Sequence, residues 1–157
     1  MPSHRERRFV PYAPDRMFAL VADIERYPEF IPWCAGARIR RQEGTLVVAD
    51  LRVRFGPFRE SFTSRVSLTP PERIDVAYAH GPLSHMATHW RFTPAEGGTT
   101  IDFSIDCDFR SALLRGLASR FFHEAAKRMV HAFEARAHKL YGDKASRPTG
   151  QGTGKTT

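Results

Sequence analysis

Apolar residues recur at every second position from residue 37 to residue 110 and at a helical period from residue 111 to residue 141. The two regimes predict the two layers of the protein. In the helical regime a 100° step gathers Leu114, Ala118, Phe121, Phe122, Ala125, Met129, Phe133 and Leu140 on one face. Arg120, Glu124, Lys127, His131, Glu134 and His138 fall opposite. The spacing predicts one amphipathic helix of about eight turns, with Ser111 as its N-cap and Gly142 as its stop. Arg136 falls inside the apolar arc, where a charge must be paired or snorkel to water.

In the alternating regime Val47, Ala49, Leu51, Val53 and Phe55 share one strand face, and Asp50, Arg52 and Arg54 share the other. A Gly56-Pro57 turn leads to Phe58, Phe62, Val66 and Leu68, with Glu60 and Ser64 on the same inward side. Ile74, Val76 and Tyr78 follow, then a His80-Gly81-Pro82 turn, then Met86, Thr88, Trp90 and Phe92. The last strand sets Ile101, Phe103, Ile105, Cys107 and Phe109 inward against Asp102, Ser104, Asp106 and Asp108 outward. One-sided alternation with short turns predicts consecutive antiparallel strands with one wet face.

Ahead of this region, residues 4–12 read as a strand with Phe9 and Pro11 on one side and Val10 and Tyr12 on the other. Ala13-Pro14-Asp15 starts a helix with Met17, Leu20, Val21 and Ile24 as its buried stripe, ending before Pro28. Pro28 and Pro32 confine residues 27–34 to a turn or so. Phe30, Ile31 and Trp33 in that turn fit either a plug in the core or a lid over a groove, and burial statistics favour the plug. The order of elements is strand, helix, turn, about six strands and a long helix. This predicts an α+β fold in which helices cover one face of an antiparallel sheet, and a twisted sheet around a long helix leaves room for a cavity. We expect a single domain over residues 1–142, and a disordered tail over residues 143–157, which are rich in Gly, Thr and Lys.

Composition narrows the function classes. With 157 residues and 41% hydrophobic content, the chain suits one domain with a core. Charged residues open the chain, so no secretory signal is expected there. Two cysteines, Cys34 and Cys107, make no disulfide framework, and a reducing, cytoplasmic setting is expected. A formal charge of +7 favours anionic partners such as RNA, the ribosome or the inner face of an anionic membrane, and is equally the way a small protein stays soluble. No DNA partner is expected.

Candidate chemistry is sparse. Gly152-Thr153-Gly154-Lys155-Thr156 resembles the end of a phosphate-binding loop, yet Thr149 stands where its first glycine belongs and no helix follows. His85 and His89 are about 13 Å apart along a strand, too far for one metal. His123, His131 and His138 are also too far apart to chelate, and no metal or covalent cofactor is expected. Neither cysteine sits in a nucleophile's setting. Glu60, predicted inward among Phe58, Phe62 and Val66, must be paired, hydrogen-bonded or protonated. We expect an ion pair with Arg136 in preference to a catalytic acid.

Three stretches, taken in order, carry a resemblance. They are Val10-Pro11-Tyr12 running into Met17-Phe18-Ala19-Leu20-Val21 and Tyr27-Pro28-Glu29-Phe30-Ile31-Pro32; Gly81-Pro82 followed by Trp90-Arg91-Phe92; and Met129-Val130-His131-Ala132-Phe133-Glu134-Ala135-Arg136-Ala137 with Tyr141. Residues 3–142 resemble the coenzyme Q-binding START-domain family, which includes the ribosome association toxin RatA, within the polyketide cyclase/dehydrase-like superfamily. The resemblance implies a helix-grip fold with a lipid-sized tunnel. It further implies a non-catalytic carrier or chaperone of ubiquinone or a related isoprenoid that supports respiration, or alternatively a toxin that blocks association of ribosomal subunits. Arg136 falls on the family's arginine in the final helix. His80 stands where the family commonly has an acid, Leu83 stands where it has Phe, and Ser84-His85-Met86 lacks the usual basic-apolar character. The expected ligand-binding residues are Phe30, Trp33, Glu60, Phe62, Tyr78, Trp90, Phe103, Phe122, Met129, Phe133 and Arg136, with Glu60 and Arg136 at the polar end of the tunnel.

Overall fold

The computed structural model of the protein describes residues 3–55 and 58–142, without the side chains of Phe55, Phe58, Leu114, Leu117, Ala118 and Ser119. The Gly56-Pro57 turn, the inward placing of Phe55, Phe58, Leu114 and Ala118, and the disordered tail lie outside the described residues.

The chain runs β1 (Ser3–Val10), α1 (Pro14–Ala22), a 3-10 helix (Ile24–Glu29), β2 (Cys34–Glu43), β3 (Leu46–Phe55), β4 (Phe58–Thr69), β5 (Arg73–His80), β6 (Leu83–Ala95), β7 (Gly98–Phe109) and α2 (Ala112–Tyr141). The strands form one antiparallel sheet in the order β1-β7-β6-β5-β4-β3-β2. This is the helix-grip arrangement, a curved sheet wrapped on a long C-terminal helix. β2 to β7 are consecutive hairpin neighbours, and β1 returns to pair with β7.

Alternation placed the inward side chains where it predicted them. Val47, Ala49, Val66, Trp90, Phe92, Ile101 and Phe103 are buried. Val10 and Tyr12 are buried on β1 and just after it, and Phe9 is exposed. Proline in its first turn and Asp15 suit α1 to start where it does, and Met17, Phe18, Leu20 and Val21 bury its apolar face. α1 ends at Ala22, before Pro28 as expected; Ile24, expected on its stripe, is buried in the separate 3-10 helix, which holds Pro28. Ile31 is sealed in the core, as a plug would be.

The buried stripe of α2 is Ala126, Val130, Phe133 and Ala137, with Phe122, Ala125 and Met129 at its margin. Leu140, expected on the apolar face, is exposed. The stripe's next step is Tyr141, whose ring takes the Arg16 guanidinium and packs beside Tyr12, which turns Leu140 to solvent. The Ser111 carbonyl accepts the Arg115 N–H at the helix start, and Gly142 ends it at φ +55°, which favours glycine. Among the described residues no helix is long and apolar enough to cross a membrane.

Candidate functional site

Between the concave face of the sheet and α2 lies a cavity of about 240 Å³. The strands line it with Leu51, Val53, Glu60, Phe62, Val76, Leu83, Met86, Thr88, Trp90, Ile105, Cys107 and Phe109. Phe121, Phe122, Ala125, Ala126, Met129 and Phe133 close it from the helix, and Tyr27, Trp33 and Pro82 complete the wall. Strand pairing makes this wall continuous, because Val53 stands opposite Glu60, Leu51 opposite Phe62 and Met86 opposite Cys107.

One end is shut by aromatic rings. Trp90 packs against Phe103 at 4.6 Å and edge-on to Phe133 at 5.1 Å, and Phe133 meets Tyr27 at 5.4 Å. Trp33 also reaches the helix, and its indole N–H donates to the Ala125 carbonyl at 3.3 Å. Burial drives the Tyr27 phenol above its ordinary pKa, and its hydroxyl donates to the Val21 carbonyl. The Cys107 thiol is pushed up to about 12, chiefly by burial, and burial also raises Cys34. Such shifts mark a wall of low polarity.

The β5–β6 turn is pinned rather than loose. The Leu83 N–H donates to the Tyr78 hydroxyl at 2.9 Å, and Arg110 Nε donates to the Leu83 carbonyl at 3.1 Å. Gly81, at φ +143°, presses on Phe62 and the Tyr78 hydroxyl so closely that a Cβ would come within 2.7 Å of Phe62 Cβ.

Of the residues expected from sequence, Trp33, Glu60, Phe62, Trp90, Phe122, Met129 and Phe133 line the cavity. Phe30, Tyr78, Phe103 and Arg136 do not. Phe103 backs Trp90, Tyr78 anchors the turn, and Phe30 lies under Arg136 on the outer side of Phe133. The expected pair of Glu60 and Arg136 is not formed. Arg136 Nη2 donates instead to Glu29 Oε1 at 2.7 Å, because its helical turn passes over the 3-10 helix and not over β4. Glu60 therefore faces the cavity half-buried, with no hydrogen-bonding or ionic partner among the described residues. Sequence reasoning passed over Leu51, Val53, Val76, Leu83, Met86, Cys107 and Phe109 as lining residues. Alternation placed most of them inward, but it does not say which inward residues meet a void.

Residues 10–134 match the family described as polyketide cyclase / dehydrase and lipid transport. The chain is 34% identical over 144 residues to coenzyme Q-binding protein COQ10 homolog B, mitochondrial, of Xenopus laevis, covering 88% of this chain and 59% of that protein. It therefore spans about three-fifths of that relative's length. It is equally 34% identical to the ribosome association toxin RatA of Rickettsia prowazekii, over 89% of this chain and 99% of the toxin. Among solved structures, an 18 kDa protein from Caulobacter crescentus is 37% identical with a TM-score of 0.74, covering 90% of this chain and 99% of that one. The Zhui aromatase/cyclase from Streptomyces sp. R1128 shares the fold, with a TM-score of 0.79 at 17% identity, covering 95% of this chain and 98% of that one.

Proposed function

The chain belongs to the polyketide cyclase / dehydrase and lipid transport family, and from that premise we propose that it is a non-catalytic carrier or chaperone of an isoprenoid quinone, ubiquinone first. The observation that carries this reading is the cavity wall, largely hydrocarbon and aromatic, with Glu60, Thr88 and Cys107 as exceptions. Burying apolar surface there is worth about 25 cal/mol per Å². Trp33, Phe62, Trp90, Phe122, Met129 and Phe133 would hold the apolar part of the ligand, and Glu60 would orient a polar head. At about 240 Å³ the cavity is below the ~300 Å³ at which drug-sized pockets begin, so a long isoprenoid chain enters only in part.

The lining supports binding over catalysis, since among the described residues Glu60 has no hydrogen-bonding or ionic partner to share a proton with, and the Cys107 thiol is held far from thiolate. A cyclase-type activity ranks lowest; if one is detected, unchanged turnover in Glu60→Gln removes the one carboxylic acid among the described residues of the wall. Organic extraction of the purified native protein followed by mass spectrometry tests the main reading. A stoichiometric quinone is expected, and its reproducible absence sinks the idea. The reading puts the protein in the cytoplasm, with transient contact at the inner face of an anionic membrane for ligand exchange.

A second reading, ribosome association, is favoured by the nearly full-length likeness to RatA and by the basic charge. Overexpression should then raise free subunits relative to assembled ribosomes in a sucrose gradient. An unchanged profile removes it.

A further inference from the structure

The outward residues of β2, β3 and β4 form a face of different chemistry from the cavity. The ladder registers Arg38 with Asp50 and Thr63, Gly36 with Arg52 and Ser61, Arg41 and Arg65 with Val48, and Arg54 with Arg59. Arg40 joins them from a β-bulge and reaches Asp50 at 3.3 Å. All seven arginines are exposed. Set against Glu43 and Asp50, they leave a formal +5 on this part of the sheet. Around β7 the outward Asp102, Asp106 and Asp108 are set against Arg5 and Arg7 of β1 and Arg91 of β6, so that part of the face is near neutral and the excess positive charge belongs to β2, β3 and β4.

Three features separate this patch from an ordinary solvated surface. Among the described residues only Arg40 of the seven has a carboxylate partner. Arg54 stands directly opposite Arg59, where like charges oppose strand pairing. The Arg52 guanidinium lies across Gly36, where a Cβ would come within 2.6 Å of its Nε and Nη2. A bare glycine thus lets a forked donor lie flat on the sheet.

We propose that this face docks on the phosphate backbone of RNA. Planar guanidiniums suit phosphate oxygens bidentately, and lysine is absent from the patch. Among the described residues the exposed large apolar side chains are Phe9, Leu113 and Leu140, which all lie elsewhere, so no described side chain of this face suits insertion into a bilayer. Among the described residues it also presents no aromatic ring for base stacking, so recognition is of backbone and shape, not sequence. The surface is separate from the cavity; the choice of RNA as the polyanion rests on the ribosome reading above.

The test titrates the whole chain with a 20-base-pair RNA duplex, a DNA duplex of equal length, and phosphatidylglycerol vesicles over a range of salt. R52Q/R54Q/R59Q should flatten the dependence of log K on log salt by about three, since each phosphate contact contributes about one. At physiological salt it should weaken RNA binding roughly a hundredfold. R38Q/R41Q/R65Q supplies an independent set should the first variant fold poorly, and R52K/R54K/R59K should keep most of the salt slope. RNA affinity unchanged in both glutamine variants overturns the proposal, as does tighter binding to DNA or to vesicles. Ribosome co-sedimentation that survives both glutamine variants removes the surface and leaves the ribosome reading standing. Arginine-dependent RNA binding without co-sedimentation supports the surface and removes that reading.

Discussion

Arg136 and Glu29, 107 residues apart in sequence, are joined by a 2.7 Å hydrogen bond that ties the last turns of α2 to the end of the 3-10 helix. The Arg136 side chain is only 11% exposed, lies over the Phe30 ring at 5.0 Å, and leaves its Nε buried without a partner. The arginine inside the apolar arc thus serves as a clasp outside the cavity.

The hydrogen bond from Arg136 holds the Glu29 carboxyl below its usual range. A depressed folded-state pKa contributes stability that is present above the unfolded value of about 4.3 and is lost as pH falls through the folded value. Urea midpoints measured from pH 6 downward should therefore fall less steeply in Glu29→Gln than in the natural chain. Parallel acid limbs would show that the pair adds nothing to folding.

Because Glu29 is half-exposed, the buried stem of Arg136 matters more than its charge. Arg136→Ala should cost about 1–2 kcal/mol through lost packing on Phe30. Arg136→Met keeps the stem and removes the orphaned N–H, and should be near neutral. Equal losses in the two variants, read from chemical denaturation, would instead assign the stability to the ion pair.

Ala125 faces the cavity from the margin of the α2 stripe, so a larger side chain there occupies the void without crossing the core. Ala125→Leu should leave Tm unchanged or slightly higher and reduce bound apolar ligand at least tenfold. Full ligand occupancy in this variant would place the binding site elsewhere.

Cys107 lines the same void with its pKa pushed up to about 12 by burial, so at pH 8 almost none of it is thiolate. Iodoacetamide should modify it orders of magnitude more slowly in the folded chain than in denaturant. An apolar ligand should slow it further, as read by mass spectrometry. Ligand binding with no added protection would separate the ligand from the Cys107 wall.

Periodicity alone settled the two layers and the inward face of β3, β4, β6 and β7, because a strand's faces alternate locally and need no knowledge of partners. It also exposed Arg136 as a misfit, whereas the family resemblance rested on three residue stretches and not on periodicity. Tertiary structure decided which carboxylate meets Arg136. That depends on how far α2 is shifted along the sheet, a distance set by contacts such as Trp33 on Ala125 and Tyr141 on Arg16. The same placement left Glu60 alone in the cavity wall. β2 was the least legible strand, since two bulges break its alternation and hide the fact that its arginines share a face with Arg52 and Arg54. Local sequence fixes which way a side chain points; only the packing of distant elements fixes what it meets there.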